Sequence, residues 1–158
     1  MNTVPMTPQG YQALQEELKH LKTTVRPAVV NDIAEARSHG DLSENAEYDA
    51  AREKQAFVEA RIRDLEAKIA RAQVIDASKL GGNKVVFGAT VTIYDMDAET
   101  EQTWTIVGDE ESDLKQLRIG ISSPLARALV GKAVGDEIEI RAPGGKRECE
   151  ILKISFSV

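Results

Sequence analysis

Four acidic side chains, Asp41, Glu44, Glu47 and Asp49, fall within nine residues of the stretch HGDLSENAEYD. Carboxylates favour hard, oxygen-seeking cations, and Asp41 and Glu44 are close enough in the chain to converge on one ion such as magnesium. Two carboxylates do not make a complete magnesium site. They would complete one that another protein supplies, as in a two-metal phosphoryl-transfer centre, where a weakly held second ion and a positioned water are what an incoming acid pair can add. The same residues also have a purely structural role open to them. Gly40 can end one helix in the left-handed conformation, Asp41 or Ser43 can cap the next, and Glu44 completes a capping-box variant with Asp41. Arg37 and Arg52 stand at similar distances on either side of the turn, so both can face one side below it. There they would pair with Glu35 or Glu53, or meet a nucleic-acid phosphate. Tyr48, beside them, can pack locally or stack on a base.

The flanking sequence must hold these groups out from any core. Apolar residues recur at Leu14, Leu18, Leu21 and Val25, then at Val29, Ile33 and Ala36 after a one-residue slip near Pro27. This is one amphipathic helix with a kink or stutter where proline removes a backbone donor. Thr7 and Pro8 suit its N-cap and first position. The second run, Val58, Ile62, Leu65, Ile69 and Ala72, steps by four and three like a coiled-coil seam, with Glu59–Arg63 and Asp64–Lys68 as i,i+4 pairs outside. Only a few residues around Gly40 separate the runs, so the helices form an antiparallel hairpin with the acids at its tip. Helices of about thirty residues make an arm roughly 45 Å long.

The helical period stops near DASKLGGNK, where Gly81, Gly82 and Asn83 mark a linker. Residues 1–76 are therefore expected to form the arm and residues 77–158 a globular β-rich domain. In the latter, KVVFGATVTIY, QTWTIVG and LRIGIS read as strands, and SSPLARALVG as a short helix with Ser123 as N-cap, Pro124 at N1 and Gly131 past its end. DEIEIRA and RECEILKISF form a last hairpin around Pro143, Gly144 and Gly145. The expected class is α+β: a helical hairpin followed by a small antiparallel sheet holding one helix.

Composition restricts the partners. The net charge of −6 divides evenly, with ten basic and thirteen acidic residues in each of the two parts. Neither part offers a phosphate-neutralising surface, so a role near nucleic acid would run through a protein partner. The start of the chain lacks the pattern of a secretory signal and no stretch is apolar enough to span a membrane, which predicts a cytoplasmic protein without membrane association. Cys149 is the sole cysteine, so no intrachain disulfide can form, and with His20 and His39 it does not make a zinc site. Cys149 and Trp104 are expected to pack in the sheet domain. The DEESD segment reads as a solvated turn, lacking the glycine and spaced ligands of a calcium loop.

The tip AEARSHGDLSENAEYDAAREKQ resembles that of the bacterial transcript cleavage factors of the Gre family. The resemblance continues through MTPQGYQALQEELKHLKTTVRP, AQVID, VVFGATVTIYDMDAE, WTIVGDEESD and SSPLARALVGKAVGDEIEIRAPGG, nearly the whole chain. It implies an arm that enters the secondary channel of RNA polymerase and a C-terminal domain, similar to the FK506-binding-protein fold, that docks at the channel rim. In such factors two tip acids, matched here by Asp41 and Glu44, stabilise the second magnesium ion and the attacking water so that the polymerase cleaves its own backtracked RNA. On this resemblance the protein is a stimulator and not itself an enzyme, acts as a monomer, and holds Mg2+ only jointly with polymerase. Arg37 and Arg52 match the small basic patch associated with the RNA 3′ end, and Ser123 and Pro124 fall in the rim-contacting block. The few basic residues near the tip fit the branch of the family that releases short products. Ser43 stands where some members carry lysine.

Three other roles fit parts of the sequence. An inhibitory relative would enter the same channel and block catalysis; the intact GDLSEN stretch argues against it. A prolyl isomerase would need several aromatics around one proline, and the second domain offers only Phe87, Tyr94, Trp104 and Phe156. An acidic coiled-coil chaperone would need an exposed apolar groove that this polar arm lacks.

Overall fold

The computed structural model describes residues 3–40, 45–142 and 144–156. The chain divides into two compact units: Tyr11–Ala72, and a second made of the chain before Tyr11 together with the chain from Gln73 onward.

The first unit is built from α1 (Pro8–His20), a π-helical turn (Leu21–Val25), α2 (Arg26–Arg37) and α3 (Ala46–Ala70). The expected slip near Pro27 is this π turn. The N–H of Arg26 reaches back five residues to the carbonyl of Leu21, so the chain takes up one extra residue just before Pro27, which has no N–H to give. Thr7 caps α1, its hydroxyl accepting from the N–H of Gly10 at 3.0 Å, with Pro8 in the first helical position.

Along the hairpin, Val29 and Ile33 of α2 pack with Val58 and Ile62 of α3, and Leu18, Leu21, Val25, Tyr48 and Ala51 lie against them half-buried. Ion pairs border this narrow seam. Arg26 grips Glu59 through two hydrogen bonds of 2.7 and 2.8 Å, and Arg61 grips Glu17 at 2.7 and 3.0 Å. Glu59 therefore pairs across the hairpin, not with Arg63 on its own helix as its spacing suggested. A planar guanidinium that meets both carboxylate oxygens outcompetes an exposed i,i+4 contact. Asp64 does pair with Lys68, at 3.1 Å. The 25 residues of α3 give a helix of roughly 37 Å, somewhat shorter than expected.

In the second unit, β1 (Val4–Met6) and β2 (Ala72–Val74) form a two-stranded ribbon. A five-stranded sheet runs in the order β5-β4-β3-β7-β6, from β3 (Thr90–Asp95), β4 (Thr100–Val107), β5 (Arg118–Gly120), β6 (Glu137–Ala142) and β7 (Gly145–Ser155). Its core gathers Val85, Phe87, Val91, Ile93, Ile106, Ile119, Ile138, Cys149 and Ile151 with Ala126 and Leu129 of the helix α4 (Pro124–Leu129). The expected last hairpin is present as β6–β7, although Pro143 lies outside the described residues, and β3 and β4 form another.

Two features depart from the strand pattern. The run from Lys84 joins the sheet only at Thr90, because Gly88 turns with φ +87° and sits so close to Ala77 that a Cβ would meet that side chain at 2.6 Å. β5 lies parallel to β4, not antiparallel, since the chain between them passes through two 3₁₀ turns, Asp109–Glu111 and Leu114–Gln116, and returns running the same way.

Candidate functional site at the arm tip

The end of α2 follows the expected course: its last N–H groups fold back in tight turns, and Gly40 takes the left-handed conformation at φ +96°. Asp41, Leu42, Ser43 and Glu44 lie outside the described residues. The capping assignment, however, changes. The N-cap of α3 is Asn45, whose Oδ1 accepts from the N–H of Tyr48 at 3.0 Å, so neither Asp41 nor Ser43 holds that position. Asn45 was not singled out in the sequence. Asp41, Ser43 and Asn45 all have side chains suited to capping, and the choice among them is decided across the turn, where the Asn45 Nδ2 donates to the carbonyl of Ala36 at 2.6 Å.

Arg37 and Arg52, placed on one side by the symmetry of the sequence, do come together. Each guanidinium carbon stands 5.8 Å from the centroid of the Tyr48 ring, and Arg52 Nη1 donates to the phenol oxygen at 3.0 Å. The Arg37 guanidinium, and then that of Arg52, hold the Tyr48 phenol below its usual pKa by stabilising the phenolate. Among the described residues neither arginine pairs with Glu35 or Glu53. Tyr48 is thus both a local packing residue, its ring lying against the seam, and the shared partner of the basic pair.

The two flanks of the hairpin below the tip differ in charge. One carries a shallow groove lined by Val30, Ile33, Ala34, Arg37, Arg52 and Gln55. The other is lined by Asp32, Glu35 and Glu47 with a single lysine, Lys54. His39 Nδ1 lies 3.2 Å from Glu47 Oε2 near that acidic flank. The two arginines thus share one flank, while the three carboxylates lie with Lys54 on the other.

In the second unit, Ser123 caps α4, its Oγ accepting from the N–H of Ala126 at 3.2 Å, while Pro124 is exposed at the first helical position. The DEESD segment exposes Asp109 and Glu110 as a solvated turn would, yet two of its carboxylates also tie the chain. Asp109 accepts from the N–H and hydroxyl of Ser122, and Glu111 accepts from the N–H of Gly108 and from both the N–H and the hydroxyl of Thr7. Cys149 is buried, and loss of solvent with the nearby Asp95 charge pushes its thiol above its usual pKa, as expected of a packing cysteine. Trp104 is half-buried against the core. Among the described residues no group of three or more His, Cys, Asp or Glu could hold a metal ion, and no helix is long and apolar enough to cross a membrane.

Comparison with known proteins agrees in both units. Residues 4–74 match the family described as transcription elongation factor, N-terminal, and residues 80–156 match transcription elongation factor, GreA/GreB, C-terminal. The transcription elongation factor GreA of Hyphomonas neptunium is 60% identical over 156 residues, and that of a Caulobacter species (strain K31) is 59% identical; each alignment covers 99% of both chains. A crystal structure of GreA factor homolog 1 from Thermus thermophilus is 26% identical, covers 98% of this chain and 99% of its own, and gives a TM-score of 0.45. Two family matches that between them span nearly the whole sequence, with full-length relatives at this identity, establish that the chain belongs to the GreA/GreB family of transcription elongation factors.

Proposed function

We propose that this elongation factor works by lending its arm tip to RNA polymerase: the hairpin enters the secondary channel, and Asp41 and Glu44 help the polymerase cleave backtracked RNA. The observation that carries this reading is the Asn45 cap. With the N-cap of α3 filled by Asn45, the acids of the tip are not needed for that role, and a tip of this composition on a polar hairpin remains to be explained.

Asp41 and Glu44 are too few to hold magnesium alone. Together with carboxylates of the polymerase they would hold the second of two ions, whose chemistry is to lower the pKa of a bound water and to screen the charge gathering on the phosphate oxygens. Water then attacks the phosphorus of an internucleotide linkage, the bond to the 3′ oxygen breaks, and that oxygen takes up a proton. The short 3′ fragment leaves and the retained transcript regains a free 3′ hydroxyl. Arg37 and Arg52, gathered at Tyr48 on the basic flank, contact a phosphate of the extruded 3′ end. Pro124, exposed beside the Ser123 cap, belongs to the surface that docks at the channel rim.

The factor acts as a monomer in the cytoplasm and is a stimulator, the catalytic centre being that of its host. Its small basic set fits GreA-type release of short products. The test is polymerase stalled in a backtracked state with end-labelled RNA and magnesium. Wild type should release short 3′ fragments, and the Asp41→Asn, Glu44→Gln double variant should bind yet release them at least about a hundredfold more slowly. Binding without cleavage by wild type overturns the reading in favour of an inhibitory relative.

A further inference from the structure

We infer that Asn45 is a positioning residue for this activity: its side chain fixes the end of α2 to the start of α3, and so sets the geometry at which the tip and the basic pair are presented. The inference rests on the proposed function and adds a residue to it.

The geometry is specific. Asn45 is half-buried, and its carboxamide uses its two ends on two different helices: Oδ1 accepts from Tyr48 N–H at 3.0 Å in α3, and Nδ2 donates to the Ala36 carbonyl at 2.6 Å in α2. These partners dictate the amide orientation, because the reversed amide would face donor to donor and acceptor to acceptor. Each end also adjoins the basic pair. Ala36 immediately precedes Arg37, and Tyr48, whose N–H is capped, carries the ring and phenol that Arg37 and Arg52 share. The chain leaves the described hairpin at Gly40 and re-enters it at Asn45, so the same bridge holds the return point of the acidic segment.

Arg37 against Tyr48 and His39 beside Glu47 also cross between the helices here, but among the described residues Asn45 is the side chain that bonds the backbone of both. The seam residues Val29, Ile33, Val58 and Ile62 lie further down the arm, and they can keep the helices paired without fixing their ends. Asn45 therefore divides its effects. As a cap it stabilises α3, a function that Ser or Asp would preserve. As a bridge it needs a donor of carboxamide length. Serine is too short to span to Ala36, and an aspartate would set a carboxylate oxygen against that carbonyl.

Asn45→Ser and Asn45→Asp are the variants to compare with wild type in the backtracked complex, reading cleavage rate against factor concentration. Helicity, melting and competition for polymerase should stay within about twofold of wild type, since cap and seam persist. The rate at saturating factor should fall about tenfold, the scale expected when reacting groups are held but misplaced by a fraction of an ångström. Loss of saturating rate with binding intact supports the bridge. An unchanged saturating rate in both variants, or a loss repaired by adding more factor, overturns it and leaves Asn45 as a helix cap alone. Should wild type itself fail to stimulate cleavage, the functional reading fails first and this inference with it.

Discussion

The two units are stabilised by different means. The sheet unit buries a continuous cluster in which Val85, Ala89, Val91, Ile106, Ala126, Leu129 and Ile151 are wholly shut off from solvent. The hairpin buries a single file of aliphatic side chains and relies on arginine–carboxylate pairs that remain about one-third exposed. A thick core tolerates change poorly and makes a rigid platform. A thin seam leaves most of each helix in water, so the surface of the arm can be shaped for a partner without disturbing what holds it together.

The largest effects should separate the units directly. Leu129→Ala removes a fully buried side chain from between helix and sheet, where packed neighbours on every side cannot close the space, and should cost about 3 kcal/mol. Ile62→Ala empties an equally buried site in the seam, but two helices can move together more easily than a sheet and helix, so about 2 kcal/mol is expected. Thermal unfolding followed at 222 nm for the helices and by Trp104 fluorescence for the sheet unit reads each loss in its own region. An Ile62→Ala cost equal to that of Leu129→Ala would break the contrast.

A smaller effect concerns acid. Asp95 is the one buried charged residue among the described core positions, and it accepts from the N–H groups of Asp97 and Ala98 and from Arg147. The bond from Ala98, assisted by Asp97 and Arg147 against the opposing effect of burial, holds its carboxyl below the usual value. A group whose pKa is depressed on folding contributes stability above its unfolded value, near 3.9, and loses it as pH falls through the folded value. The sheet unit should therefore weaken below about pH 4. In Asp95→Asn the melting temperature should be lower at neutral pH, with a flatter fall into acid. An unaltered acid limb would show that other carboxylates set it.

What the sequence disclosed follows the same division. Periodicity marked the seam, since burial on one face of a helix depends on spacing alone, and Ser123, Pro124 and Gly131 marked α4 because capping is local. Choices among equivalent local partners stayed hidden. Glu59 had Arg63 one turn away on its own helix and Arg26 across the hairpin, and only the paired arrangement favours Arg26. Asp41, Ser43 and Asn45 competed for one cap, and the Ala36 carbonyl settled it. The parallel placement of β5 has no signature in so short a strand. At the tip, the symmetry of Arg37 and Arg52 about the turn allowed them to share one side but left pairing with Glu35 or Glu53 equally open. That Tyr48 would bring them together depended on ring geometry that spacing does not encode, and Asp41 and Glu44 were legible only as residue types beside a familiar motif.

The finest test of the contrast is an ion pair of the arm. Arg61 meets both oxygens of Glu17, yet the pair sits at the edge of the seam, where water screens it and two long side chains must be held still. A gain of about 0.5 kcal/mol is expected in spite of the good geometry. The hydrogen bond from Arg61 holds the Glu17 carboxyl below its usual value, so this contribution is present above the unfolded value near 4.3 and disappears as pH falls through the folded one. Glu17→Gln should lower helix melting slightly at neutral pH, the gap closing below about pH 4 and in high salt. Arg61 keeps its bond to Asp64 at 2.9 Å in either case, which limits the loss. A gap that persists in acid would mean that Glu17 contributes through the packing of its methylenes, and that the border of the seam behaves more like the core of the sheet unit.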